Sequence, residues 1–131
     1  MVNISYVYGS MTNSAITIYH KRIENHSEQW VRYNYGVTDN DLKGWFIGGK
    51  GAGLNKGYDN ANDVDVRLFY KDNSNLDINN FGIGDIIVQG YLNLDINKQQ
   101  DLKDYLTYNV TSIQNNITGS QNVKHIHLGG K

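Results

Sequence analysis

Asp63-Val64-Asp65-Val66-Arg67-Leu68-Phe69-Tyr70 switches character with a period of two. Successive side chains of a strand point to opposite faces, so Val64, Val66, Leu68 and Tyr70 share one face and Asp63, Asp65, Arg67 and Phe69 the other. One set asks for a core and the other tolerates water, which predicts a half-buried strand. The period recurs upstream. In Ser14 to Tyr19, Ile16 and Ile18 face one way and Ala15, Thr17 and Tyr19 the other. From Trp30 to Val37, the set Val31, Tyr33, Tyr35 and Val37 alternates with Trp30, Arg32, Asn34 and Gly36. Downstream, the turn signal Gly82-Ile83-Gly84-Asp85 precedes Ile86-Ile87-Val88, apolar on both faces as a central strand would be.

Asn97 to Tyr108 has helical spacing: Leu102, Tyr105 and Leu106 recur at three and four residues, and Asn97 can cap the start. This predicts a short cover helix. Two further strands are expected, Tyr108 to Ile113 and Gln121 to Leu128, joined by the Asn- and Gly-containing stretch 115–120. Two segments, 38–62 and 71–80, lack periodicity. Loops of that length commonly carry function or become ordered on a partner. The expected fold is therefore all-β: a small antiparallel β-barrel or sandwich with long loops and one short helix. Residues 1–131 form one domain in this reading, with 1–10 as an N-terminal extension and 129–131 as a C-terminal tail.

The 131 residues carry a formal net charge of -1, so no field of one sign draws the whole protein onto nucleic acid or an anionic membrane. Cysteine is absent, which excludes disulfides, thiolate metal sites and thiol nucleophiles. Neither a signal peptide nor an apolar run of about 20 residues is visible, and the expectation is a protein made in the cytoplasm with no membrane partner.

Gly44-Trp45-Phe46-Ile47-Gly48-Gly49-Lys50-Gly51 resembles a phosphate-binding loop, but Gly51 stands where a Ser or Thr hydroxyl would meet magnesium, and no helix is expected after it. The stretch instead reads as a Gly-rich loop whose Trp45, Phe46 and Leu54 need burial, against another subunit if the domain's own core does not take them, with Lys50 beside them. His125 and His127 share a strand face but lack a third ligand. Asp63 and Asp65 also share a face, with Arg67 adjacent to neutralise them. No catalytic, metal or cofactor site follows from these patterns, and the chain is not expected to be an enzyme.

Three blocks occur in order: Met11 to Lys21 (MTNSAITIYHK), Gly84 to Gly90 (GDIIVQG), and Ile113 to Lys131 with Gly119-Ser120, His125 and the closing Gly129-Gly130-Lys131. Together they resemble a family of minor structural proteins from the head-to-tail connection of tailed phages and prophages of Gram-positive bacteria. Residues 1–10 precede the usual start of that pattern, and Ile126 stands where an aromatic often follows the histidine. The resemblance implies a head-completion or stopper protein of the virion neck, assembled in the host cytoplasm. It implies a homo-oligomeric ring bound to a portal or adaptor protein on the head side and a tail terminator or tail completion protein on the other. Contact with DNA in the channel would be transient. Leu128, Gly129, Gly130 and Lys131 are then expected to reach a neighbouring protein, the glycines lending freedom to the backbone. The alternative is a carbohydrate- or surface-binding β-domain; an enzyme resting on His125, His127 or Lys50 ranks third.

Overall fold

The computed structural model describes residues 11–38, 41–48 and 63–131. Its strands are β1 (Met11–Ser14), β2 (Ile16–Glu24), β3 (Ser27–Tyr35), β4 (Val37–Thr38), β5 (Asp41–Leu42), β6 (Gly44–Gly48), β7 (Val64–Phe69), β8 (Ile86–Gln89), β9 (Tyr108–Asn116) and β10 (His125–Gly130). Eight of them form one antiparallel sheet in the order β1-β6-β7-β10-β9-β8-β2-β3, and β4 pairs with β5 apart from it. The fold is all-β, sandwich-like, with an open sheet.

Ala15 alone separates β1 from β2, yet β1 lies at one end of the strand order and β2 next to the other end. One nearly continuous strand thus serves both ends, and the sheet must curl back on itself. The corner is tight. A Cβ on Gly44 would lie 2.6 Å from the Ser14 carbonyl oxygen, and one on Gly36, at φ +81°, would meet the same oxygen at 2.6 Å. Only glycine lets these three backbone segments approach so closely.

Inside the curl, the predicted apolar phases meet: Ile16, Ile18, Tyr35, Val64, Val66, Leu68, Ile87, Ile126 and Leu128 belong to one buried cluster. β2 starts with residues buried on both faces because a second cluster, Tyr19, Ile86, Val88, Ile96 and Leu102, lies on the outer side of β8 and β2. The segment after Gly90 is strapped there. Thr17 Oγ1 donates to the Gly90 carbonyl (2.8 Å) and accepts from the Leu92 N–H (3.0 Å), and the Tyr19 hydroxyl donates to the Leu94 carbonyl (2.6 Å).

Four expectations need correction. The helix over 97–108 is a single 3-10 turn, Gln99–Leu102. Leu102 is buried but Tyr105 and Leu106 are exposed, so helical spacing had no second apolar surface to meet. The Asp101 carboxylate accepts the Asn97 and Lys98 N–H groups, closing the turn locally, and the Asn97 bond holds its pKa below the ordinary value. The strand expected from Gln121 begins at His125, because a turn closed by Val123 N–H to the Ser120 carbonyl occupies the preceding residues. The 71–80 segment is anchored in the domain itself. Asn73, buried, accepts the Gly36 N–H (2.7 Å) and donates to the Phe69 carbonyl (2.9 Å), while Leu76 and neighbouring Phe81 enter the core. Of the 38–62 segment, Asp41–Leu42 and Gly44–Gly48 are strands.

Tyr35 gives the core a pH limit. Burial, then the neighbouring Tyr33, Asp77 and Asp85, push its phenol well above the ordinary value, and its hydroxyl has no hydrogen-bond partner among the described residues. The unfolded chain loses this proton near pH ~10 while the folded protein keeps it, so stability is whole below that pH. It should then fall by about 1.4 kcal/mol per pH unit as the pH climbs. Absorbance titration at 295 nm should show a class of tyrosines that ionises only with unfolding; all tyrosines ionising reversibly near pH ~10 would contradict it.

Candidate functional site

The outward phase of β1, β6, β7, β10 and β9 forms one polar and aromatic face. Strand register sets Asn13 beside Trp45, Trp45 beside Arg67, Arg67 beside His127 and His127 beside Gln114. A parallel row places Phe69 beside His125 and His125 beside Asn116. Trp45, Arg67, Phe69, His125 and His127 are each half-exposed. Trp45 meets Phe69 edge-on with ring centroids 6.0 Å apart, and Phe69 lies 5.1 Å from the His125 ring. Against them opens a groove of about 220 Å³ lined by Asn13, Lys43, Trp45, Phe69, Lys71 and Asp72.

Both histidines are held by hydrogen bonds. His125 Nδ1 sits 2.9 Å from the Val123 carbonyl and must carry the proton, leaving Nε2 to accept from Asn116 Nδ2 at 3.1 Å. His127 Nε2 lies 3.2 Å from Asp65 Oδ1. Among the described residues no group of three or more His, Asp or Glu side chains could hold a metal ion.

A closer pairing escaped sequence reasoning. Asp85, 1% exposed, contacts His20 Nδ1 at 2.8 Å, and its carboxylate also accepts the Gly82 N–H (2.7 Å) and the Lys21 N–H (3.0 Å). It binds the Gly82-Ile83-Gly84-Asp85 turn to β2. The turn was visible in sequence, but His20 lies 65 residues away and only sheet topology brings it there.

The second surface is the outer half of the β2–β3 hairpin. Asn25 (φ 50°) and His26 (φ 66°) form its two-residue turn, and Arg22 through Gln29 are exposed, with Ile23 at 70%.

Several expected interface residues are internal. Phe46 is 2% exposed, with its ring tilted against that of Tyr108 at 5.8 Å between centroids, so it belongs to the core, because Gly44 to Gly48 is a strand with Phe46 on its inner phase. Trp45, on the opposite phase, is where an interface residue could be. Leu128 is fully buried, and Gly129 and Gly130 are buried strand residues rather than a tail. A Cβ on Gly130 would meet the Asn109 carbonyl oxygen at 3.1 Å, so its glycine serves close approach between strands. Lys131 is exposed, but its backbone exchanges two hydrogen bonds with Asn109. Lys50 and Leu54 lie outside the described residues. No described helix is long and apolar enough to cross a membrane.

The family model for DUF6751, a family of unknown function, matches residues 11–131, and the chain belongs to that family. No curated protein and no solved structure matches it.

Proposed function

We propose that this DUF6751 member is a structural subunit of a phage head-to-tail connector, a head-completion or stopper protein whose ring closes the portal channel and docks the tail. The resemblance of the blocks Met11 to Lys21, Gly84 to Gly90 and Ile113 to Lys131 to neck proteins suggests it. The observation that carries it is the sheet's pair of unlike ends: β1 at one, and β3 in a projecting hairpin at the other. Closed rings need heterologous contacts, in which one patch meets a different patch on the next copy. Edge strands offer unpaired N–H and C=O groups for such joining, and a bare apolar side chain such as Ile23 gains by burial against a neighbour. In this reading the chain needs no cofactor and has no catalysis of its own. Its partners are further copies, a portal or adaptor protein, and a tail terminator or completion protein.

Phage lacking the protein should fill heads with DNA that then leak or stay tailless. Full, stable heads joined to tails in that lysate would overturn the reading. Within it, Ile23→Asp should leave the melting temperature nearly unchanged, since the side chain is already 70% exposed, yet weaken association about tenfold. Analytical ultracentrifugation of the two proteins gives the comparison, and unchanged association would remove the hairpin from the interface.

A further inference from the structure

The charged and aromatic groups around Trp45 take no part in the edge and hairpin contacts of the connector reading. Its charged groups divide clearly. Asp65 is engaged by His127, and Asp72 has its own interaction. Lys43, Arg67 and Lys71 pair with no carboxylate among the described residues, and Arg67 Nε is buried without a hydrogen-bond partner there. Around the half-exposed Trp45 and Phe69 the three cations Lys43, Arg67 and Lys71 outnumber the two carboxylates Asp65 and Asp72, so the patch is net positive although the whole chain carries -1.

Cations interleaved with aromatic rings on an open sheet face match a ligand that alternates anionic and planar groups. We infer that this face binds single-stranded nucleic acid, with a base against Trp45 and Phe69 and the adjoining phosphates at Lys43 and Lys71. A neutral sugar would use the rings but leave the three cations uncompensated. A duplex would use the cations but keeps its bases stacked inside, away from the rings. The inference stands apart from the connector reading, because it concerns the isolated protein whatever particle contains it.

The test is fluorescence anisotropy of a labelled 12-nucleotide oligo(dT), with oligo(U), duplex DNA of equal length and a neutral oligosaccharide as competitors. Log affinity should fall linearly with log salt, and Lys43→Gln with Lys71→Gln should reduce that slope by about 1.4, from about 0.7 per phosphate on a single strand. Trp45→Leu should weaken binding about tenfold and leave the slope unchanged, as loss of stacking does. Melting temperatures check that each variant folds; the lysine pair, at the groove rim, tests the idea even if the tryptophan variant does not fold. Competition by either oligo(dT) or oligo(U) supports the inference. No binding, equal competition by the duplex, displacement by the oligosaccharide, or a slope untouched by the lysine pair overturns it.

Discussion

Replacing Asp85 with alanine should lower the free energy of unfolding by about 3 kcal/mol, the upper part of the cost of leaving buried donors without an acceptor. The carboxylate is 1% exposed and serves three donors or partners at once: the Gly82 N–H, the Lys21 N–H and His20 Nδ1. Alanine leaves two half-buried backbone donors, the Gly82 and Lys21 N–H groups, without their acceptor. It also frees the Gly82–Asp85 turn, which positions β8 through Gly84 N–H to the Val110 carbonyl and Val110 N–H to the Asp85 carbonyl. Asp85→Asn keeps the shape and one acceptor oxygen, so its loss should be smaller. Urea denaturation measures both. An alanine variant within about 1 kcal/mol of the parent would mean that the turn holds without its carboxylate.

Gly44→Val is the second large effect expected, about 3 kcal/mol, the upper part of the usual cost of overpacking. The new Cβ would fall 2.6 Å from the Ser14 carbonyl oxygen and 2.9 Å from the Ile16 side chain. Ile16 can shift. The carbonyl belongs to the corner between β1 and β2 and cannot move without disturbing the pairing of Ser14 with Gly44 itself. Thermal unfolding read by circular dichroism should show a lower midpoint. A variant that melts with the parent would show that the corner has room that this backbone geometry denies.

Period two was the dependable signal except over Trp30 to Val37, where β3 ends at Tyr35 and Val37, expected on the buried face, is exposed. Val64, Val66 and Leu68 alternate in sequence and are all fully buried, and Ile86-Ile87-Val88 lies between two apolar clusters as its unbroken apolar run required. The same rule failed at Gly44 to Gly48 only because glycines disguised it: with Trp45 out and Phe46 in, the segment is a strand, but its composition resembled a loop. The helical spacing around Leu102 misled because periodicity reports what a segment could bury, and burial depends on what lies opposite. Partnerships across the chain were out of reach. Nothing local to His20 announces Asp85, and nothing local to Trp45 announces Arg67 or Lys71; register alone assembles them.

The strand order has a consequence for how the molecule is made. β10, residues His125–Gly130, lies in the middle of the sheet, paired to β7 on one side and β9 on the other. While a ribosome is still adding residues before His125, β7 and β9 have no strand between them, and the inner phases of both are open to water. Until β10 emerges, the sheet is two separate pieces, β1-β6-β7 and β9-β8-β2-β3. A premature stop codon between Asn116 and His125 would leave β7 and β9 each with a bare strand edge, a form prone to aggregate and to be degraded.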